Sequence, residues 1–283
     1  MSNVLKTKID FAIIISVKNA NPNGDPLNGN RPRINYDGLG EISDVALKRK
    51  IRNRLLDFGE NILMQSHDYR AKGDNHPNVK SRVESVKEIK DETTKKGVKD
   101  ADKVSDLACK QWIDVRTFGQ VLAFGKEGDD SKGLSVPIRG PFSIQPAFSI
   151  ESVDIVHTKI VKSMNSTQVG GVQKDRMGDK HRIDKGIYIT FGTINPQLAE
   201  KTGFTKEDAD KIKEAMRTLF ENDATSARPS GSMEVLKVIW WEQEIGKEVI
   251  SSAKIHRSLD VKQDGTYTLD EKLEVRPEEL GGM

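Results

Sequence analysis

Ser43-Asp-Val-Ala-Leu-Lys-Arg-Lys-Ile-Arg-Asn-Arg-Leu-Leu-Asp-Phe58 is the stretch from which the rest of the chain is best read. Leu47, Ile51, Leu55 and Phe58 recur at helical spacing and define an apolar stripe. Ser43 or Asp44 supplies an N-cap oxygen for a backbone N–H left free in the first turn. On a helical wheel Lys48 and Arg52 stack along one edge of the stripe, with Arg49 further round, and Lys50 and Arg54 lie along the other edge. Against Asp44 and Asp57 these five cations leave a net charge of +3 on one short helix. Like charges one turn apart each cost a few tenths of a kcal/mol, so the pattern predicts an anionic neighbour. A solvated basic face on an ordinary core helix is the competing reading; the flanking segments decide between them.

Upstream, Lys8 to Lys18 alternates as a strand, with Ile9, Phe11, Ile13, Ile15 and Val17 on one face. Between this strand and the basic helix runs Asn19 to Arg33, dense in Asn-Gly and Pro. So long and so punctuated a connection is more often functional than filler, and it delivers Arg31 and Arg33 to the start of the helix. Downstream, residues 60–112 read as a helical insertion. Six lysines face seven carboxylates between Glu84 and Asp106, as in a solvated helix or a mobile excursion. Ile113 to Phe124 reads as one helix packed on the core, with Arg116 and Gln120 on a shared face and Gly119 marking close approach of another backbone.

Short strands follow from Leu134 to Val161, broken at Pro137, Gly140-Pro141 and Pro146. His157 to Lys185 then carries seven Lys/Arg against three Asp, with strand-like ends around the Gly-rich Ser163–Gly171 centre. This predicts a hairpin arm leaving the sheet. Met164, Val169 and Val172 have no core to join there. Cations beside exposed apolar side chains suit single-stranded nucleic acid, which offers phosphates to the former and a base face to the latter. Thr205 to Phe220 is an amphipathic helix capped by Thr205, Met233 to Glu242 an inner strand apolar on both faces, and Asp264-Gly265 a hairpin turn. With the insertions removed the order is β-α-β-β-α-β. The expected class is therefore α+β, a ferredoxin-like, RNA-recognition-type domain. The aromatic base-stacking signature of such sheets is missing, since Phe11 is the only aromatic on the first strand.

Bulk properties agree. The 283 residues suffice for a core without staples, and net charge is only +2, so the localised basic segments mark a defined polyanion path rather than general stickiness. Mean hydropathy is −0.58 and no apolar run reaches the ~20 residues of a membrane span. One cysteine, Cys109, rules out an intrachain disulfide, and with no signal-peptide pattern the expected location is cytoplasmic. Chemistry is sparse. No H-E-x-x-H, G-x-S-x-G or Walker motif occurs, and the five histidines show no metal-ligand spacing. Asp25 and Asp37 fit turns better than a magnesium site. No catalytic residue, metal or cofactor is expected.

Five segments together carry a family resemblance: Asn21-Pro-Asn-Gly-Asp-Pro26, Ser43-Asp-Val-Ala-Leu-Lys-Arg-Lys-Ile-Arg52, Asp114-Val-Arg-Thr-Phe-Gly119, Gln168-Val-Gly-Gly171 with Lys180-His-Arg182, and Gly192-Thr-Ile-Asn-Pro196. In this order the chain resembles the backbone subunit of type I CRISPR Cascade complexes, in the branch of the type I-C and I-B systems. The resemblance implies a hand: a palm of 1–59, 113–157 and 184–283, a helical finger of 60–112, and a thumb hairpin of 158–183. It implies copies in a head-to-tail filament along one CRISPR RNA, displacing a guide base at intervals and presenting the rest to target DNA. Other Cascade subunits and, indirectly, a recruited nuclease-helicase are implied partners. Lys48, Arg49 and Arg52 are carried over as guide-phosphate contacts, and Met164, Asn165, Gln168, Val169, Gly170 and Gly171 as the thumb. Arg31, Arg33, Arg116, Gln120, Lys180 and Arg182 join them as RNA-contact candidates. A ribonuclease using His157 or His181, and a single-strand-binding module that does not assemble, are the alternatives.

Overall fold

The computed structural model describes residues 3–94, 100–124, 134–162, 176–246 and 248–283. Strand β1 (Thr7–Ala20) leads into the turn-rich loop, which holds the short pair β2 (Gly24–Asp25) and β3 (Arg31–Pro32), then β4 (Leu39–Ile42) and helix α1 (Asp44–Asp57). Helices α2 (Val79–Glu84), α3 (Lys87–Thr94), α4 (Ala101–Gln111) and α5 (Ile113–Phe118) follow, with the hairpin β5 (Gly119–Phe124) and β6 (Leu134–Arg139). Next come β7 (Phe142–Ile144), β8 (Ala147–Ser152), β9 (Ile155–Lys162) and the long β10 (Arg176–Ile194). Helices α6 (Pro196–Thr202) and α7 (Lys206–Arg217), strand β11 (Met233–Glu244), helix α8 (Ser252–Arg257), β12 (Leu259–Val261), β13 (Tyr267–Leu269) and β14 (Glu278–Gly281) complete the chain.

A mixed α/β architecture results, built on an antiparallel sheet in the order β14-β11-β1-β10-β8-β4, with β7 and β9 also paired to β10. The alternation read in β1 sorts its side chains between two cores. Ile9, Phe11, Ile13, Ile15 and Val17 face the same cluster as Leu47, Ile51 and Leu55 of α1 and Ala209, Ile212, Ala215 and Met216 of α7. Ala12 and Ile14 face the other side, under Ile255 of α8 and Leu259 of β12. Strand β11, apolar on both faces, lies between β1 and β14, with Trp240 in the first cluster and Trp241 in the second. Each such ring or branched side chain taken fully from water stabilises the fold by roughly 1.5–3 kcal/mol. Phe11 sits between Phe142 and Trp240, with ring centroids 5.2 and 6.0 Å away, and is wholly buried. It offers nothing for a base to stack on.

Two expectations change. Glu84 to Asp106 is not merely a solvated helix or excursion: its Ile89 and Val104 join Leu63, Val83, Ala108, Cys109 and Trp112 in a separate apolar core. That core extends beyond residue 112, closing on Val115, Leu122, Phe124, Val136 and Ile138. The span 113–124 is also not one helix. Gly119 ends α5 at φ 80°, a left-handed conformation that favours glycine, and the chain continues as β5. A Cβ at Gly119 would stand 2.3 Å from the Ile138 carbonyl oxygen, so the close backbone approach is real and comes from β6.

Candidate nucleic-acid interface

Helix α1 begins as its sequence dictates. Ser43 Oγ accepts from Ala46 N at 3.3 Å, while Ser43 N donates to Asn23 Oδ1 at 2.9 Å, fastening the turn-rich loop to the first turn. Leu47, Ile51 and Leu55 are fully buried. The anionic neighbour demanded by the charge turns out to be the chain itself, because every one of the five cations meets a carboxylate. Lys48 pairs with Asp44 at 2.9 Å and Arg49 with Asp68 at 3.0 Å. Lys50 pairs with Asp223, Arg52 with Asp114 at 3.0 Å and Arg54 with Asp57 at 2.5 Å.

Burial separates these pairs into two kinds. Lys50 is held in a nearly closed site beside Phe220, and burial, against the pull of Asp223, pushes its ammonium down to about 8. Arg54 also donates to Thr218 Oγ1 at 3.0 Å. Arg52 lies over the Phe118 ring, 4.6 Å from its centroid. Its partner Asp114 is buried and further accepts from Leu63 N at 2.8 Å and Met64 N at 3.1 Å. Breaking such a pair costs several kcal/mol, so Arg52, a phosphate-contact candidate from the sequence, ties α1 to the second core. Arg49 and Lys48 differ: their side chains are 44% and 26% exposed, and Asp68 is 81% exposed. Surface pairs of this kind are worth about 0–1 kcal/mol, and a phosphate can displace the carboxylate.

Arg116 is likewise engaged within the chain. Its guanidinium grips the buried Asp208 with two bonds, Nε to Oδ2 at 2.9 Å and the terminal nitrogen to Oδ1 at 2.7 Å, and donates to the Cys109 carbonyl at 3.3 Å. Asp208 also completes the capping box of α7 with Thr205. Gln120 lies on β5 rather than one helical turn beyond Arg116, and its amide donates to the carbonyl of Val121. The break at Gly119 separates the two side chains that helical spacing had paired.

The loop and the arm do come together. Asn21 N donates to Ala227 O at 2.8 Å, Asn21 Nδ2 to Asn30 O at 2.7 Å, and Arg33 N to Asn23 O at 3.0 Å. Strand β3 packs against β10. In the arm, β9 and β10 pair from Ile155↔Ile183 to Lys162↔Arg176. His157 and His181 face each other across it, rings stacked at 4.6 Å, and His157 Nε2 lies 2.6 Å from Asp179 Oδ1. Partial burial, then the charges of His157 and Arg31, lower the pKa of His181. Alternation along β10 sends Lys180 and Arg182 to the opposite face from His181. Among the described residues Arg31, Lys180 and Arg182 have no ion-pair partner, and Arg33 has only Asp25 at 3.6 Å. Met164, Asn165, Gln168, Val169, Gly170 and Gly171 lie outside the described residues.

A connection absent from the sequence reading completes the surface. Asp223, bonded to Lys50 of α1, also accepts from Arg228 Nε at 3.0 Å, one residue beyond the Ala227 that holds Asn21. Lys50 is thereby linked through the 223–228 loop to Asn21 and Asn30, and on to β3 and the root of the arm. The Ser226-Ala-Arg-Pro-Ser-Gly-Ser232 loop reads from sequence as a flexible connection; only its contacts reveal it as a bridge. Among the described residues no group of three or more His, Cys, Asp or Glu is arranged to hold a metal. What this surface offers is loosely paired or unpaired positive charge, among the described residues, beside exposed apolar side chains such as Ile160.

A family model described as CRISPR-associated protein Cas7 matches residues 7–277. The chain belongs to the Cas7 family. A curated member, CRISPR-associated protein Cas7 of Haloferax volcanii, is 29% identical over 243 residues, covering 78% of this chain and 66% of the relative. The chain thus spans just under two thirds of that Cas7 protein's length. Two solved chains are similar at lower identity. One comes from a "CRISPR RNA-guided surveillance complex, pre-nicking", at 13% identity with a TM-score of 0.49 over 88% of this chain and 81% of that one. The other, from a "CRISPR RNA-guided surveillance complex", shows 15% identity and a TM-score of 0.46 over 92% and 78%.

Proposed function

We propose that this Cas7-family chain is a non-catalytic backbone subunit that binds CRISPR RNA, lines up in copies along it and presents it for pairing with target DNA. Family membership across residues 7–277 carries the reading. Physical support comes from Arg49, Lys48, Arg31, Lys180 and Arg182, cations that are either loosely paired at the surface or, among the described residues, have no carboxylate partner. Contacts with phosphate fix a strand's position without reading its sequence, which a holder of variable guides requires, and base pairing then supplies specificity. A filament needs a head-to-tail interface that does not close.

The finer assignments belong to the same proposal. The order β11-β1-β10-β8, with α1 and α7 in one core, supports a ferredoxin-like palm. The separate core from Leu63 to Ile138 supports a finger that includes the β5–β6 hairpin, and the β9–β10 arm supports a thumb. The type I-C branch rests on the segment resemblance. Mixing the purified chain with single-stranded repeat–spacer RNA and following mass by light scattering tests the reading. RNA-dependent oligomers with uncut RNA are expected. A chain that stays monomeric with RNA bound would leave a non-assembling module, and site-specific cutting abolished by His181→Ala would overturn the non-catalytic role.

A further inference from the structure

Lys50 is a cation of α1 that a bound strand does not reach. Its side chain is 6% exposed, with Nζ 5.4 Å from the Phe220 ring centroid and bonded to the carboxylate of Asp223. Asp223 is 15% exposed and holds a second cation, Arg228, whose Nε donates to it at 3.0 Å. Two cations thus share one carboxylate largely out of water. Such a buried pair adds little net stability, because desolvating the charges offsets their attraction; its best-attested use is to hold one arrangement among several. From Asp223 a run of hydrogen bonds leads to the turn-rich loop. Thr225 and Arg228 exchange two backbone bonds, at 2.8 and 3.1 Å, and Ala227 O between them accepts from Asn21 N at 2.8 Å. Asn21 Nδ2 in turn donates at 2.7 Å to the carbonyl of Asn30, the neighbour of Arg31.

The loop is therefore attached to α1 at two points. Asn23 fastens it directly to Ser43, and one point alone leaves it free to turn. The second attachment runs through Asp223 and removes that freedom. Among the described residues the 222–228 loop makes one other side-chain bond to α1, Asn222 Nδ2 to Asp57 Oδ2 at 3.2 Å on the surface. We propose that Asp223 is a positioning residue for RNA holding: while Lys50 is protonated, it keeps the Arg31 loop at a set distance from Arg49, so that one strand meets both. This rests on the RNA-binding reading. The charges facing the Lys50 ammonium are Asp223 and Arg228 from the loop and Arg49 on its own helix. Arg54, one turn on, is taken up by Asp57, and Tyr69, bonded to Asp57, is kept neutral by burial and that carboxylate. Burial outweighs Asp223 and brings the Lys50 ammonium down to about 8, against ~10.4 in an unfolded chain. Above pH 8 the folded chain holds fewer protons than the unfolded one, so this group makes stability rise with pH. The tie to Asp223 weakens over the same range. Grip and stability thus move in opposite directions, which a purely structural role does not produce.

Fluorescence anisotropy of the full chain with a single-stranded RNA of adenosine and cytidine, whose bases do not titrate between pH 7 and 9, tests it at constant ionic strength. Urea unfolding over the same range reads stability, and amide hydrogen exchange at pH 7 reads the protection of Asn21. For the native chain, affinity is expected to fall at least threefold as pH passes 8, while stability holds or rises. Lys50→Met keeps an unbranched side chain beside Phe220 and removes the charge. It is expected to bind at least threefold more weakly at pH 7, to show a flat profile to pH 9, and to lose at least fivefold in Asn21 protection. Asp223→Asn, the same shape without the charge, is expected to show the same losses and decides the matter if Lys50→Met does not fold. Lost affinity with undiminished Asn21 protection would make Lys50 a direct contact and overturn the positioning role. So would native affinity in both variants, or a fall through pH 8 that persists in them; the RNA-binding reading survives these results. A native chain that binds no RNA at pH 7 overturns that reading and the positioning role together.

Discussion

Replacing Arg116 by alanine separates the two roles open to a cation in the Asp114–Gly119 segment. The guanidinium makes two bonds to a carboxylate that is 3% exposed and a third to the Cys109 carbonyl, and is itself 18% exposed. Hydrogen bonds to charged groups contribute roughly 1.5–3 kcal/mol each, but these share one partner and do not add. Removing one member of a buried pair costs about 3–5 kcal/mol, most of it from the charge left behind. With Arg116 partly solvated, and Asp208 still held by Thr205 N at 2.9 Å, the lower end applies. The expected loss is about 3 kcal/mol, or at about 2–4 °C per kcal/mol for a chain of this order of size a fall in Tm of about 10 °C. Urea unfolding at fixed pH reads the loss, and fluorescence anisotropy with single-stranded RNA, run well below Tm, reads affinity. Affinity should stay within twofold. A stability change below about 1 kcal/mol with a tenfold loss of RNA binding would refute the reasoning and return Arg116 to the interface.

Other expectations are equally direct. Asp68→Ala should cost less than about 1 kcal/mol and strengthen RNA binding at low salt, because Arg49 loses its competitor; weaker binding in a titration would count against Arg49 as a contact. Arg31→Glu with Lys180→Glu should lower RNA affinity and make its logarithmic salt dependence shallower by about 1.4, at roughly 0.7 for each single-strand phosphate that is no longer neutralised. An unchanged slope would exclude both. Burial, only partly offset by Asp10 and the Gly192 carbonyl, keeps the pKa of His256 below its usual value. The folded chain therefore resists a proton that the unfolded chain takes up near pH ~6.5. Stability should fall as pH drops from 7.5 toward 5.5, and His256→Gln should make that fall shallower in urea titrations.

How much of this was legible beforehand depends on whether the signal was local. Strand β1 announces itself because one alternating run serves two cores, and α1 and α7 because Ser43 and Thr205 cap apolar stripes of helical period. Gly119 marked a close approach correctly, yet its other consequence, ending the helix, was hidden by apolar residues that fit either period. The core of residues 63–138 was obscured because its members are single apolar residues scattered through polar sequence. Charge misled most. Five cations on one helix suggest an external anion, but Asp68, Asp114 and Asp223 are far off in the chain and only folding brings them in. The same blindness hid the 223–228 bridge.

Strand β10 runs without interruption through 19 residues, from pairing with β1 in the sheet's centre to pairing with β9 in the arm. No hinge divides the two stretches, so the arm cannot swing as a flap. It must bend with the sheet's own twist, and its eight β9–β10 pairs make a stiff bar about 26 Å long at ~3.3 Å per residue. In a row of such subunits that bar would act as a ruler, setting the interval between neighbours by its fixed length rather than by the letters of the strand they hold.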